Sequence, residues 1–482
     1  MFHKLRLTCC KKGMKIQFCG ADKEVTGSCH VIELDNGFTF MMDCGLYQGH
    51  DDDMKKFNET WIRPPSDIDC VVLSHAHIDH IGRLPKLVKD GCSGSIFCTH
   101  ATRSLASILL ADSAMIQERE AEYSNRKWIK KGIKYHSRIT DPLYVQEDVP
   151  PVLAMMVSYG YNKWFKIHDD VEVKYTDAGH ILGSASINLR ITENGKVTTL
   201  AFTGDIGRPE RPILRDPQPM DPAEILISES TYGDRLHEKA PQDKDRLEKI
   251  IYHTCVEKRG KLIIPAFSVG RTQEIIYMMD HMATEGRLPR IKVYVDSPLA
   301  VNATSIYLAH TECYDDEITK YLRTDENPFG FNGLTYIKNV EDSKRLNDSD
   351  EPCVIISASG MANAGRVQHH IINNCDKRST TILIVGYCAL GTPGRLIRDG
   401  AEYITLHGQT KLIHAEVEVM DSFSAHGDRN EMMSFLQNQK HSTRKIFLVH
   451  GDPEAMNAFK THLEVDGFKN IVLPELGETI RL

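Results

Sequence analysis

The sequence predicts a layered α/β protein with more than one domain. Three observations point there. Short apolar runs of strand length alternate with segments of helical pattern, as layered α/β architecture requires. Five prolines, Pro209, Pro212, Pro217, Pro219 and Pro222, fall between two such alternating regions and mark a candidate domain boundary. Finally, 482 residues, 41% of them hydrophobic, suffice for a sizeable core.

Strand-like runs open the chain at 15–19, 29–34 and 38–42, each bounded by Gly, Asp or Asn. A short apolar run at 69–73 ends abruptly in Ser74-His75-Ala76-His77, and a helical pattern over 83–89 stops at Gly91. The charged stretch 102–138 reads as a long solvated helix, after which strands recur at 171–175, 186–191 and 197–202. Beyond the prolines, strands are expected at 225–227, 261–264, 292–295, 353–356 and 381–385, with a helix at 272–281. From about Gly400 short strands return, the last at 445–449. The first 13 residues lack a signal peptide's apolar segment and read as an extension ahead of the first strand, frayed or an upstream start.

Composition excludes several function classes. The formal net charge of −8 argues against a generally basic nucleic-acid binder, although it leaves room for a locally basic groove. Apolar runs fall far short of the ~20 residues that cross a bilayer. The 13 cysteines are scattered and include no CxxC pair, which reads as reduced thiols in a cytoplasmic protein.

The most informative stretch is Ser74-His75-Ala76-His77-Ile78-Asp79-His80, directly after a strand. Neutral imidazole and carboxylate are zinc donors, and two-residue spacing lets side chains converge from one loop. The adjacent Asp79 and His80 must aim elsewhere than His75 and His77, so one loop can feed two metal positions. Further donors follow later strands: His180 in Ala178-Gly179-His180, Asp205 in Thr203-Gly204-Asp205 and His450 in Val449-His450-Gly451. Strand ends are where open α/β sheets collect their sites. Together these make seven donors, enough for two metals.

These ordered motifs resemble those of metallo-β-lactamase-fold hydrolases. Within that superfamily the chain is similar to the β-CASP RNA-processing nucleases, which include RNase J and the endonuclease of the cleavage-and-polyadenylation complex, and it stands nearest their compact bacterial-type members. The resemblance runs from about Met14 to Leu482. It implies an αββα sandwich, residues 14–208 and 394–482, with an α/β β-CASP domain inserted at 209–393. It also implies two zinc ions: His75, His77 and His180 on one, Asp79, His80 and His450 on the other, with Asp205 bridging. Asp43 in Met42-Asp43-Cys44 would orient the ligand loop by hydrogen bonds. Glu229 in Ser228-Glu229-Ser230-Thr231 and His426 in Ala425-His426-Gly427 match two further motifs of the group. A His at position 450, where DNA-repair members typically carry an aliphatic residue, implies RNA.

The implied reaction is phosphodiester hydrolysis by a metal-bound hydroxide, with Asp79 able to take the water's proton. His426 would be the general acid, its tautomer fixed by Glu229; its alternative role is charge stabilisation alone. Two glycine-rich loops, 357–366 and 386–395, resemble loops at the family's RNA cleft, and Ser268–Arg271, ahead of the helix at 272, could present a helix N-terminus to a phosphate. Arg271, Ser359, Gly360, Arg366 and Arg395 are the candidate phosphate contacts, and Tyr232 and Tyr387 candidate base-stacking residues. The expected partner is single-stranded RNA, with a homodimer compatible with the family. The competing readings are a non-catalytic RNA-binding scaffold, which a missing ligand would have favoured, and another hydrolase of the same fold, which would leave Glu229 and His426 unexplained.

Overall fold

The computed structural model describes residues 13–49, 52–130, 141–237, 243–386, 388, 391–420 and 424–482. Most of the N-terminal extension, the end of the helix expected over 102–138, and Tyr387 lie outside them.

Two seven-stranded sheets pack face to face. The first runs Thr479–Arg481, Lys15–Phe18, His30–Glu33, Thr39–Met42, Cys70–Val72, Ser95–Thr99, Met156–Tyr159; the second runs Ile471–Val472, Lys445–Val449, Ile225–Glu229, Lys196–Phe202, Ala185–Glu193, Val171–Asp177, Phe165–His168. Side chains alternate across each strand. Ile16, Phe18, Phe40 and Val72 of the first sheet therefore meet Val173, Tyr175, Leu189, Ile227 and Phe447 of the second in one buried layer. Helices close both outer faces. Leu84–Lys89 and His100–Lys130 bury Leu84, Leu87, Leu105 and Leu110 against Val71, Leu73 and Ile96. Arg429–Leu436 and Pro453–Asp466 bury Met432, Met456, Phe459 and Leu463 against Leu226, Ile446 and Leu448. This is the expected αββα sandwich.

A separate six-stranded sheet runs Leu334–Tyr336, Lys292–Val295, Cys353–Ser357, Lys261–Pro265, Thr381–Val385, Glu416–Met420, all in parallel. Parallel neighbours need crossovers and bury both faces. In Lys261–Pro265, Leu262 and Ile264 enter one core and Ile263 the other.

The sheets divide the chain at other points than 209 and 393. Ile225–Glu229 is a central strand of the sandwich: it pairs in parallel with Lys196–Phe202 on one side and Lys445–Val449 on the other. Glu416–Met420 belongs to the six-stranded sheet. The inserted unit's sheet and helices therefore lie between 243 and 420. The proline-dense stretch looked like a boundary because proline cannot join a ladder. It is instead a crossover between neighbouring strands that also lines the inserted unit, where Asp315 N–H donates to the Ile213 carbonyl (2.9 Å).

Phe447 is fully buried between the sandwich layers, its ring centroid 4.9 Å from that of Phe18. Phe447→Ala should lower stability by about 3–5 kcal/mol, read as a fall in the urea midpoint. An unchanged midpoint would contradict a core shared by both sheets.

Candidate metal centre

The seven predicted donors converge. Cys70–Val72 ends at the ligand loop, and His77 leads into the short helix Ile78–Ile81, which carries Asp79 and His80 and leaves the His80 ring 3.9 Å from that of His75. Backbone bonds strap that loop to residues 44–46: Cys44 N–H to the His80 carbonyl (2.7 Å) and Leu46 N–H to the Ile78 carbonyl (3.0 Å). A Cβ on Gly45 would lie 1.6 Å from the Asp79 carbonyl oxygen, so this approach requires glycine. Ser184 Oγ accepts from the N–H groups of His180 (3.0 Å) and Ile181 (3.2 Å), shaping the turn that presents His180.

Two sets of donors result. In the first, His77 Nδ1 lies 3.1 Å from both His75 Nε2 and His180 Nε2, and each of the latter two lies 3.5 Å from Asp205 Oδ2. In the second, His450 Nε2 lies 3.2 Å from His80 Nε2 and 3.4 Å from Asp79 Oδ2. Asp205 Oδ1 faces this set, 3.3 Å from His80 Nε2 and 3.7 Å from His450 Nε2. Donors on a tetrahedral zinc with bonds of about 2.0–2.1 Å are about 3.3–3.4 Å apart. The spacings of 3.1–3.5 Å in the first set are of that size, and those in the second run from 3.2 to 3.9 Å. Asp205 Oδ1 is buried without a hydrogen-bond partner, a cost that a metal would remove. The residues fit two divalent ions sharing Asp205.

Protonation supports this. Burial, reinforced by the charge of neighbouring imidazoles, holds His75 and His180 well below the usual imidazole range, and burial brings His77 down to about 4, so all three keep lone pairs for a metal. Burial would raise Asp205, but His450, His80, His75 and His426 hold it well below the ordinary carboxylate range. His80 differs. Burial opposes its charge, yet Asp205, Asp43 and Asp79 outweigh burial and hold a proton on it, which a metal must displace.

The surrounding polar groups orient the ligands. Asp43, fully buried, sits 2.7 Å from His80 Nδ1 through Oδ2 and accepts from Ser74 N–H and Ser74 Oγ, each at 2.8 Å. His426 Nδ1 lies 3.1 Å from Glu229 Oε2, and its Nε2 is 3.9 Å from Asp205 Oδ2, at the edge of the first set. Gly427 N–H donates to the Ile206 carbonyl (2.8 Å), which anchors His426 beside the Asp205 loop. Sequence reasoning missed Ser74 and Thr231. Both are hydroxyl residues flanking a motif residue at a strand end, and that adjacency was the available signal.

The candidate phosphate contacts are engaged elsewhere. Arg366 donates from Nη1 to Asp296 Oδ1 (2.6 Å) and from Nη2 to the Lys338 carbonyl (2.7 Å). Arg395 pairs with Asp399 (2.6 Å), and the buried Arg271 with Glu274. Ser359 Oγ donates to Asn363 Oδ1 (2.6 Å), and Gly360 packs where a Cβ would lie 2.8 Å from the Phe267 ring. A phosphate would have to share or displace the arginines' carboxylate partners. Tyr232 meets His426 edge to face, ring centroids 5.9 Å apart, and is buried.

Comparison with known proteins places these features. Residues 22–91 match the metallo-beta-lactamase superfamily, 272–397 the Beta-Casp domain and 412–474 a Zn-dependent metallo-hydrolase RNA specificity domain. A ribonuclease of Thermus thermophilus is 31% identical over 97% of this chain and 100% of its own length. The chain belongs to the β-CASP ribonuclease family. Other relatives within or near that family are an RNase J-like protein of Methanocaldococcus jannaschii, 30% identical over 91% of this chain and 92% of its own, and the transcription termination factor FttA of Methanosarcina mazei, 30% identical over 94% and 69%. A solved structure of a protein of unknown function from Enterococcus faecalis V583 shares the fold, with a TM-score of 0.52 at 11% identity over 98% of this chain and all of its own. Among the described residues, no helix is long and apolar enough to cross a membrane.

Removing the Asp43 carboxylate frees His80 to rotate. Asp43→Ala should weaken metal binding about 10–100-fold, measured by competition with a chromogenic chelator. Wild-type affinity would contradict the orienting role.

Proposed function

We propose that this β-CASP protein is a two-zinc ribonuclease that hydrolyses phosphodiester bonds of single-stranded RNA. The observation that carries this reading is Asp205, whose two oxygens face two separate donor sets beside the His426–Glu229 pair. An alkyl ester or lactone would have little use for that pair. His450 completes the second set and sits in the stretch matched by the RNA specificity domain.

When bound, the two zinc ions would supply an activated water and neutralise charge on the phosphate. The chain's own residues do the rest. Both Asp79 and Asp205 are ionised; Asp79 is held down to about 2, chiefly because His80 and His450 outweigh its burial. Such a carboxylate is a weak base, which favours the ligand role over proton acceptance. His426 meets the demand at the leaving 3′-oxygen. Burial alone would strip its proton, but the charges of Glu229 and Asp205 and the hydrogen bond to Glu229 push it up to about 9. With Nδ1 committed to Glu229, the proton available to substrate is on Nε2. Glu229 is itself fixed, Oε1 accepting from Ile206 N–H and Oε2 from Thr231 Oγ1 (2.6 Å). The glycine-rich 357–366 loop and Ser268–Arg271 are offered as backbone contacts to RNA phosphates.

The test is cleavage of 5′- and 3′-labelled single-stranded RNA beside matched DNA. The wild-type chain should cut RNA, and the ladders report the direction of attack. His426→Ala should keep its metal and lose about 10²–10⁴ in rate. The charge of Glu229 and its hydrogen bond favour the proton on His426, so the rate should fall along an alkaline limb as that proton is lost. Glu229→Gln removes the charge that raises it and should move the limb to lower pH. A His426→Ala variant as fast as wild type, or a limb unmoved by Glu229→Gln, would contradict the proton-donor assignment.

A further inference from the structure

One hydroxyl joins two parts of the site that the motifs treat separately. Ile225–Glu229 and Lys445–Val449 are parallel neighbours, with Glu229 opposite Val449 in register. The residues just beyond both strand ends therefore meet. Ser230 ties them, its N–H donating to the His450 carbonyl (3.2 Å) and its Oγ to the Val449 carbonyl (2.7 Å). Thr231 Oγ1 then lies 2.6 Å from Glu229 Oε2, 3.1 Å from His450 Nδ1 and 3.1 Å from the His450 carbonyl oxygen.

A hydroxyl has one proton to give. The charged acceptor at the shortest distance takes it, so Thr231 donates to Glu229. Its oxygen is then an acceptor for His450 Nδ1–H. That bond settles which nitrogen of His450 carries hydrogen: Nδ1, leaving the Nε2 lone pair aimed at Asp79 and His80. The same carboxylate oxygen also accepts from His426 Nδ1 (3.1 Å). His450, Thr231, Glu229 and His426 thus form one continuous chain of hydrogen bonds from a metal ligand to the proton donor.

We propose that Thr231 is a positioning residue that fixes the ring of His450 for the second metal and locks Glu229 for His426. This rests on the two-metal reading above. It predicts an effect confined to one metal position, because none of the first-set donors touches Thr231. Valine keeps the shape and leaves His450 Nδ1–H without an acceptor. Serine keeps the hydroxyl.

The test is zinc titration of the full chain against a competing chelator, with thermal melting of each variant alongside. Wild type should take up two zinc ions. Thr231→Val should hold the first at wild-type affinity and the second about 10–100-fold more weakly, with Thr231→Ser restoring it. At saturating zinc, Thr231→Val should lower kcat on RNA at unchanged KM, since Glu229 has lost one of its donors. If valine is not accommodated and the melt collapses, Thr231→Ala reads the same selective loss. Two sites of wild-type affinity in a folded Thr231→Val or Thr231→Ala variant would overturn the inference alone, as would serine failing to restore the second. A wild-type chain that takes up no zinc would overturn it together with the function on which it rests.

Discussion

The structure depends on holding seven histidine and aspartate side chains together in a place that water scarcely reaches. His75, His80, His180, Asp205 and His450 are all buried, and their nitrogen and oxygen atoms face one another at distances that leave no room for ordinary solvation. Buried polar groups without partners are expensive, and carboxylates and imidazoles in such numbers would repel or neutralise one another. The two oxygens of Asp205 serve opposite sides of the cluster, and one lacks any hydrogen bond. A bound metal cofactor would turn this costly collection into a stable one.

The fold meets the constraint from behind. Three ligands find a partner for the second ring nitrogen in a group from a different element, Asp43 for His80, the Ala425 carbonyl for His180 and Thr231 for His450, and His75 finds its own in the adjacent Ser74. Two sheets packed face to face put the ends of several strands side by side, so donors hundreds of residues apart become neighbours. Glycines permit the closest passes. A Cβ on Gly207 would lie 1.9 Å from the Gly179 carbonyl oxygen, so the Asp205 and His180 loops could not otherwise touch.

Much of this was legible in the sequence. The His75–His80 motif announces itself because three imidazoles and a carboxylate crowd into one short loop, where only a metal gives so many donors a shared purpose. The apolar strands 171–175, 197–202 and 445–449 point at the later ligands His180, Asp205 and His450. The inserted unit was legible as α/β from its buried runs. What escaped was pairing between distant segments. Nothing local in Ile225–Glu229 says that it joins the sandwich, or in Glu416–Met420 that it joins the inserted sheet, because parallel partners are set by the fold and not by neighbours in sequence. Prolines near 209–222 pointed the wrong way for the same reason. The pairing of Arg366 with Asp296 and of Arg395 with Asp399 likewise cannot be assigned without coordinates. Thr231 was hidden by the plainness of a hydroxyl.

The shared carboxylate can be examined directly by diffraction from zinc-loaded crystals at the zinc absorption edge. Two anomalous peaks about 3.5–4 Å apart, one on either side of the Asp205 carboxylate, are expected. A single peak, or a pair with His450 and Asp205 outside bonding distance, would contradict the bridged two-metal centre.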